Sequence, residues 1–337
     1  MSSASPADSA AVDWIASYEA LASHAGLVDL GARTQIELSG ADRSAFLHNL
    51  CTGDIRKLPP GAGCEAFLTS LQGKTLAHLF AFVGPSTINL STVSGQGEVI
   101  LAHLNHYLVC EQVVLSDCSH QRRELYLGGP DAPRLLAALA GDEPPQDRLS
   151  HCAVKLAGRD VWIRKADLAG PIGFDISLGT EDVEAVRGAL LSAGAVSGPW
   201  AAFDAARIEW GFPWFGVDIS EKNLPQEVGR DKLAISFAKG CYLGQETVAR
   251  IDALGHVNKT LVGVRFADRE VPLAQQELMA AGEMVGHITS AAYSPRLGAV
   301  CGLAYVRRGH NTPGTAVTSS GHRGEVVALP FDLSNAR

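Results

Sequence analysis

The stretch best suited to chemistry runs from Ile235 to Ile251, I-S-F-A-K-G-C-Y-L-G-Q-E-T-V-A-R-I. Cys241 follows Lys239 and Gly240, and Gln245-Glu246 open a helical pattern in which Val248 and Ile251 fall three apart. A thiol beside an ammonium and a helix N-terminus has its thiolate favoured by both fields, which can move its pKa from about 8.5 to about 3.5–7.5. Gly240 and Gly244 let backbone N–H groups face a ligand, or let the chain turn with positive φ. Ile235 and Phe237 alternate as a short strand leading in. The plain alternative is a small hydrophobic cysteine packed in an ordinary K-G turn.

The elements that must position this stretch can be read along the chain. At 337 residues, with 46% hydrophobic and 19% charged residues, the sequence describes a soluble globular protein of two or three domains. A net charge of −8 argues against broad phosphate binding, so no direct nucleic-acid partner is expected. Seven cysteines without a C-x-x-C fit neither a disulfide framework nor a zinc site. With no basic-apolar leader and no run long enough to span a bilayer, a reducing cytoplasmic setting and no membrane partner are expected.

Residues 1–12 read as a flexible tail. Arg33 to Leu38 alternates as a strand, and a helix follows Ser39-Gly40, with Phe46, Leu47 and Leu50 on one face. A hairpin over residues 75–92 turns at Gly84-Pro85-Ser86, and a helix runs from Glu98 to Leu108. The order then recurs: L-S-G-A-D-R-S-A-F-L-H-N-L at 38–50 matches L-G-G-P-D-A-P-R-L-L-A-A-L, 89 residues on. A second hairpin spans 160–178, turning at Gly170-Pro171, and a helix spans Glu181 to Ala193 with Thr180 as its cap. This predicts two copies of one α+β unit, 13–116 and 117–255, followed by a small antiparallel barrel over 256–337. The motif lies just before the barrel, at a domain junction, where ligand pockets often form.

K-G-C-Y-L-G-Q-E closely resembles the K-G-C-[FY]-x-G-Q-E motif of the YgfZ-type folate-binding proteins, relatives of the glycine-cleavage T-protein. Three further stretches resemble that wider superfamily: L-S-G-A-D…F-L…L-C-T-G-D-I at 38–55, A-R-I-E-W-G-F-P-W-F-G-V-D at 206–218, and G-H-I-T-S-A-A-Y-S-P-R-L-G at 286–298. The resemblance implies two intertwined ferredoxin-like α+β domains around a central folate-sized channel, with a C-terminal antiparallel β-barrel. It implies tetrahydrofolate, or a one-carbon derivative, as ligand. It further implies support for the synthesis or repair of iron-sulfur clusters in client enzymes, including tRNA-modifying ones. One cysteine cannot hold a cluster alone, so any cluster would be transient and shared with an iron-sulfur client or carrier protein.

Two departures bear on the alternative, a folate-dependent aminomethyltransferase. T-proteins carry an Asp in an N-A-x-N…K-D context, and N-L-S-T-V-S-G-Q-G-E here has none. Their G-Y-T-G-E-D segment, whose Glu holds the pterin edge, corresponds to D-L-A-G-P-I-G-F-D, with Pro171 in place of that Glu. Proline offers no side-chain acceptor. A thiol enzyme of Cys–His type is a third reading, and His256 is the nearest histidine in sequence.

On the resemblance, Cys241 and Lys239 are the candidate catalytic residues. Lys239 would depress the thiol pKa or meet a folate carboxylate; otherwise it is a solvated turn lysine. Gly240, Tyr242, Gly244, Gln245, Glu246, Arg250, Arg207 and Glu209 are the candidate folate-binding residues. Gln245 and Glu246 are equally readable as first-turn helix residues, Arg250 as a surface charge, and Arg207, Glu209 and Asp218 as an interface ion-pair set. Trp210, Trp214 and Phe215 would stack on a pterin or fill core. Thr52 and Asp54 would face the channel or cap a turn. His103 and His106 lack further ligands, and no metal site is expected.

Overall fold

The computed structural model describes residues 14–334; the expected tail at 1–12 lies outside them. Strand alternation sets the architecture. In Thr34–Ser39, Ile36 and Leu38 are buried in one core while Gln35 and Glu37 point to the opposite face. Helix Arg43–Leu50 lays Phe46, Leu47 and Leu50 on that core, as its spacing predicts. Strands Gly63–Thr69, Thr75–Val83 and Thr87–Thr92 follow as a meander, then helix Gly97–Tyr107 and strand Val114–Asp117. The five strands form one antiparallel sheet, in which Thr34–Ser39 lies between Thr87–Thr92 and Val114–Asp117.

The second unit repeats this plan. Strand Arg122–Gly128, helix Ala132–Ala140, strands His151–Leu156, Arg159–Lys165 and Gly173–Gly179, helix Val183–Ser192 and strand Val196–Gly198 follow in the same order. The pairing order is also the same, with one insertion. Strand Gly26–Gly31, from the start of the chain, sits between Arg122–Gly128 and Val196–Gly198, antiparallel to the first and parallel to the second. The two α+β units are therefore intertwined. Helices cover the outer face of each sheet. The inner faces meet, bringing Phe80 and Phe82 of one sheet into a single cluster with Tyr126 of the other.

Strands Lys259–Phe266, Glu277–Ala280, Glu283–Ser294, Ala299–Arg307, Ala316–Ser319 and His322–Val327 close into a six-stranded barrel. Helix Trp200–Trp210 joins the three bodies. Ala202, Phe203 and Ala206 pack with Tyr18 and Leu21 of helix Trp14–Ser23, while Ile208 packs with Leu261, Cys301 and Leu303 of the barrel.

Two local expectations are corrected. Ile235 and Phe237 form no strand: helix Asp231–Ala234 ends there, and the Ser236 N–H donates to the Thr52 carbonyl rather than to a ladder. Thr180 does not cap the following helix, because it begins a short 3₁₀ turn, Thr180–Asp182, and donates its hydroxyl to the His120 carbonyl. Among the described residues no helix is long and apolar enough to cross a membrane.

Candidate functional site

The K-G-C-Y-L-G-Q-E stretch is clamped onto the first unit by its backbone. The Leu243 N–H donates to the Asn49 carbonyl, and the Thr69 hydroxyl donates to the Leu243 carbonyl at 2.6 Å. Gly244, at φ +80°, precedes helix Gln245–Leu254; a Cβ there would lie 2.5 Å from the Ser70 carbonyl oxygen, so both conformation and space call for glycine. Tyr242 is buried against Phe67, Ile235 and Val248. Cys241 and Gly240 stay exposed on the turn between these anchors.

Lys239 is buried, and its ammonium is turned inward. It donates to the carbonyls of His48, Cys51 and Gly53 at 2.5, 2.8 and 2.7 Å, and it lies 4.9 Å from the centre of the Tyr242 ring. All three carbonyls belong to the end of helix Arg43–Leu50 and the turn after it, where helical C=O groups have no partner of their own. Burial lowers the Lys239 pKa, and the acidic groups that act on it are Cys51, Asp54 and Cys64. This cation caps a helix end and pins the motif to the first unit, and it is not the solvated turn lysine of the plain alternative. Thr52 and Asp54 belong to the same clamp. The Thr52 hydroxyl donates to the Ala234 carbonyl and accepts from the Phe67 N–H, while Asp54 pairs with Lys57 at 2.7 Å.

A separate cavity of about 290 Å³ opens where the second unit, the N-terminal helix and the barrel meet. Its walls include Tyr18, Trp210, Arg296, Gly129 and the Gly170-Pro171 turn. Arg296 donates from Nε to the Tyr18 hydroxyl at 2.9 Å and from Nη2 to Glu209 at 2.5 Å, and Tyr18 in turn donates to Glu209. Burial, followed by the Glu209 carboxylate, raises the Tyr18 phenol, so it remains a neutral donor. None of residues 239–250 lines this cavity.

The GCVT N-terminal domain family matches residues 6–239, and the glycine cleavage T-protein C-terminal barrel domain matches residues 259–332. The chain belongs to the glycine-cleavage T-protein family. An aminomethyltransferase of Streptomyces avermitilis is 29% identical to this T-protein family member over 327 residues, covering 93% of this chain and 87% of the relative. A putative chloroplastic transferase of Arabidopsis thaliana is 27% identical, covering 87% and 67%. The crystal structure of glycine cleavage system aminomethyltransferase T from Bartonella henselae has the same fold, with a TM-score of 0.81 at 21% identity over 95% of this chain and 90% of that one.

Within this T-protein fold the candidate residues are dispersed. Pro171 does line the cavity, at the place where the resemblance puts the pterin-holding Glu of T-proteins. Arg207, 1% exposed, is an internal strut: it pairs with Asp204 at 2.7 Å and Asp218 at 2.8 Å, and the other Asp218 oxygen accepts from Thr289 and Ser290 of the barrel. Glu209 lies beneath the cavity, held by Tyr18 and Arg296. Gln245 is half-buried, and Glu246 and Arg250 are exposed along helix Gln245–Leu254. Trp214 and Phe215 pack into core, whereas Trp210 reaches the cavity. His103 and His106 each meet the Tyr107 ring edge-on, and among the described residues no group of three His, Cys, Asp or Glu is placed to hold a metal.

The sequence reading missed Tyr18 and Arg296. Tyr18 lies in a helix with no motif of its own. Arg296 lies within the Y-S-P-R-L-G segment already noted for its resemblance, which was the available signal.

Proposed function

We propose that the protein binds tetrahydrofolate or a one-carbon derivative, with the pterin ring in the cavity beside Trp210 and Pro171, and acts in folate-dependent group transfer of the aminomethyl type. The observation that carries this is the cavity itself. It lies in a chain of T-protein fold, has the aromatic Trp210 and Tyr18 in its walls, and at about 290 Å³ suits one bicyclic ring rather than a whole folate. When bound, the folate supplies the nitrogen that carries the one-carbon unit. Trp210 would stack on the ring, and Arg296, fixed by Glu209 and Tyr18, would present its guanidinium edge to a carboxylate or a ring acceptor. The names of the relatives support aminomethyl transfer as the reaction.

A second reading has its own support. The cavity walls include no carboxylate, histidine or lysine to move a proton, while Cys241 stands exposed in a motif of YgfZ type. On that reading the protein binds folate without transferring an aminomethyl group, and Cys241 serves iron-sulfur client or carrier proteins. Calorimetric titration with 5-formyltetrahydrofolate tests the shared step: micromolar binding is expected, weakened about tenfold or more by Trp210→Ala, the stacking contact being worth on the order of 1–3 kcal/mol. No binding to the wild type, or equal binding by the variant, refutes the site. With methylenetetrahydrofolate, ammonia and a dihydrolipoyl carrier protein, formation of the aminomethyl carrier supports the first reading. Binding without transfer, together with loss of iron-sulfur enzyme support in Cys241→Ala, supports the second.

A further inference from the structure

Between the two sheets opens a second cavity, of about 260 Å³, which shares no lining residue with the folate cavity. Strand register shows which side chains enter it. Asn89 pairs with Phe82 on one side and Glu37 on the other, so all three project from one face of the first sheet. Phe82, in the inter-sheet cluster, marks that face as the inner one. In the second sheet Arg164 pairs with His151 and Asp175, and Asp175 pairs with Tyr126 of the same cluster. Trp162, two residues before Arg164, and Arg122, four before Tyr126, share that inner face. The two sets meet across the gap and line the cavity together.

Their charges are unevenly matched. Arg164 is fully engaged, its terminal nitrogens donating to Glu124, Asp175, Gln35 and Asn89. Arg122 is not. Its Nε and Nη2 donate to the hydroxyl and the carbonyl of Ser177, each at 2.9 Å, which fixes the guanidinium. Nη1 makes no hydrogen bond and is not enclosed, and among the described residues no carboxylate pairs with Arg122. Burial first, then the Arg164 charge, lowers the Arg122 pKa, with Glu124 and Asp175 acting the other way. A half-buried cation short of a counter-charge favours an anion. Glu37 is its opposite: half-buried, it has neither a hydrogen bond nor a cationic partner for its carboxylate among the described residues. Both charges act on the Cys118 thiol in the same lining, whose pKa burial and then Glu37 raise and Arg122 lowers. They therefore flank one small space without pairing across it. Much of the remaining wall is aromatic, with the His151 ring 5.4 Å from Phe82 and 5.5 Å from Trp162. Asn89, its Oδ1 accepting from Arg164 at 2.7 Å, keeps Nδ2 as an open donor.

We propose that this cavity binds an aromatic α-amino acid, its carboxylate on Arg122 and Asn89, its ammonium on Glu37, and its ring against Phe82, His151 and Trp162. A zwitterion supplies the missing partner of each charge, and a ring suits the wall between them. The site does not rest on the folate reading.

Calorimetric titration of the full chain with L-phenylalanine tests this, against 3-phenylpropionate, which lacks the ammonium, and phenethylamine, which lacks the carboxylate. Phenylalanine should bind, and each analogue should bind roughly tenfold or more weakly, one charge-assisted contact being lost. Glu37→Gln should weaken phenylalanine to the same degree yet leave 3-phenylpropionate unchanged. Arg122→Gln should weaken phenylalanine yet leave phenethylamine unchanged. The two analogues read the double charge requirement on the unaltered protein, so the test stands even where a variant fails to fold. The proposal is overturned if phenylalanine gives no heat, or if 3-phenylpropionate or phenethylamine binds as tightly as phenylalanine. It is equally overturned if both variants bind phenylalanine as the wild type does, since the ligand would then lie elsewhere.

Discussion

Replacing Lys239 by Met keeps the length and apolar stem of the side chain but deletes the ammonium that three carbonyls share. A charge-assisted hydrogen bond contributes about 1.5–3 kcal/mol, and each acceptor left buried without a partner costs about 1–3 kcal/mol. Relief from burying a charge offsets part of this, because desolvation is the largest influence on Lys239 and opposes its charged form. The net loss should therefore be on the order of 3–5 kcal/mol, the range seen when a buried charge arrangement is broken from one side. Thermal and urea unfolding measure it: for a chain of this size the thermal midpoint should drop by roughly 4–7 °C. Thiol labelling on the folded variant completes the experiment. Cys241 and Cys110 are exposed and should react first, whereas Cys51 and Cys301 are buried with their thiols pushed up by desolvation. Since the ammonium faces the 48–53 carbonyls, the Cys241 rate should hardly change in Lys239→Met. An unchanged midpoint with a sharply slowed Cys241 reaction would refute the capping role and restore thiol activation.

Two further outcomes follow from geometry. His151, 7% exposed between Phe82 and Trp162, is held neutral by burial, its pKa lowered to about 4. The unfolded chain binds that proton more readily, so stability is lost as pH falls from about 6.5 towards 4, by on the order of 3 kcal/mol; His151→Phe should flatten this part of the urea-midpoint profile. Gly244→Ala forces a Cβ toward the Ser70 carbonyl at φ +80° and should cost about 1–3 kcal/mol, with faster hydrogen exchange confined at first to residues 243–254.

Much of the scaffold was legible because its signals are local. Alternation in Thr34–Ser39, turns at Gly84 and Gly170, and the recurrence 89 residues apart all fall within single elements or between like ones. The sequence also marked Pro171 and the segment containing Arg296. What it could not carry is pairing between residues distant along the chain. Lys239 meets carbonyls 186 to 191 positions earlier, and Glu209 meets Tyr18 191 positions earlier. A lysine before Gly-Cys looks the same whether its ammonium reaches the thiol or a helix end. Arg207 and Glu209, two positions apart on one helix, likewise read as a ligand pair, yet one is tied to Asp204 and Asp218 and the other to the cavity floor.

The strand Gly26–Gly31 has a consequence for how the chain must be made. Gly26 pairs with Gly128 on one side and Val196 on the other, so this segment leaves the ribosome long before either neighbour exists. Until residue 128 has been synthesised both of its edges stay open to whatever strand is at hand, and one edge stays open until residue 198. A chain shortened from the front would leave strands Arg122–Gly128 and Val196–Gly198 unjoined in the middle of their sheet. The two units of like plan therefore cannot be parted by a single cut, and translation must reach the end of the second before the strand near the front has both its neighbours.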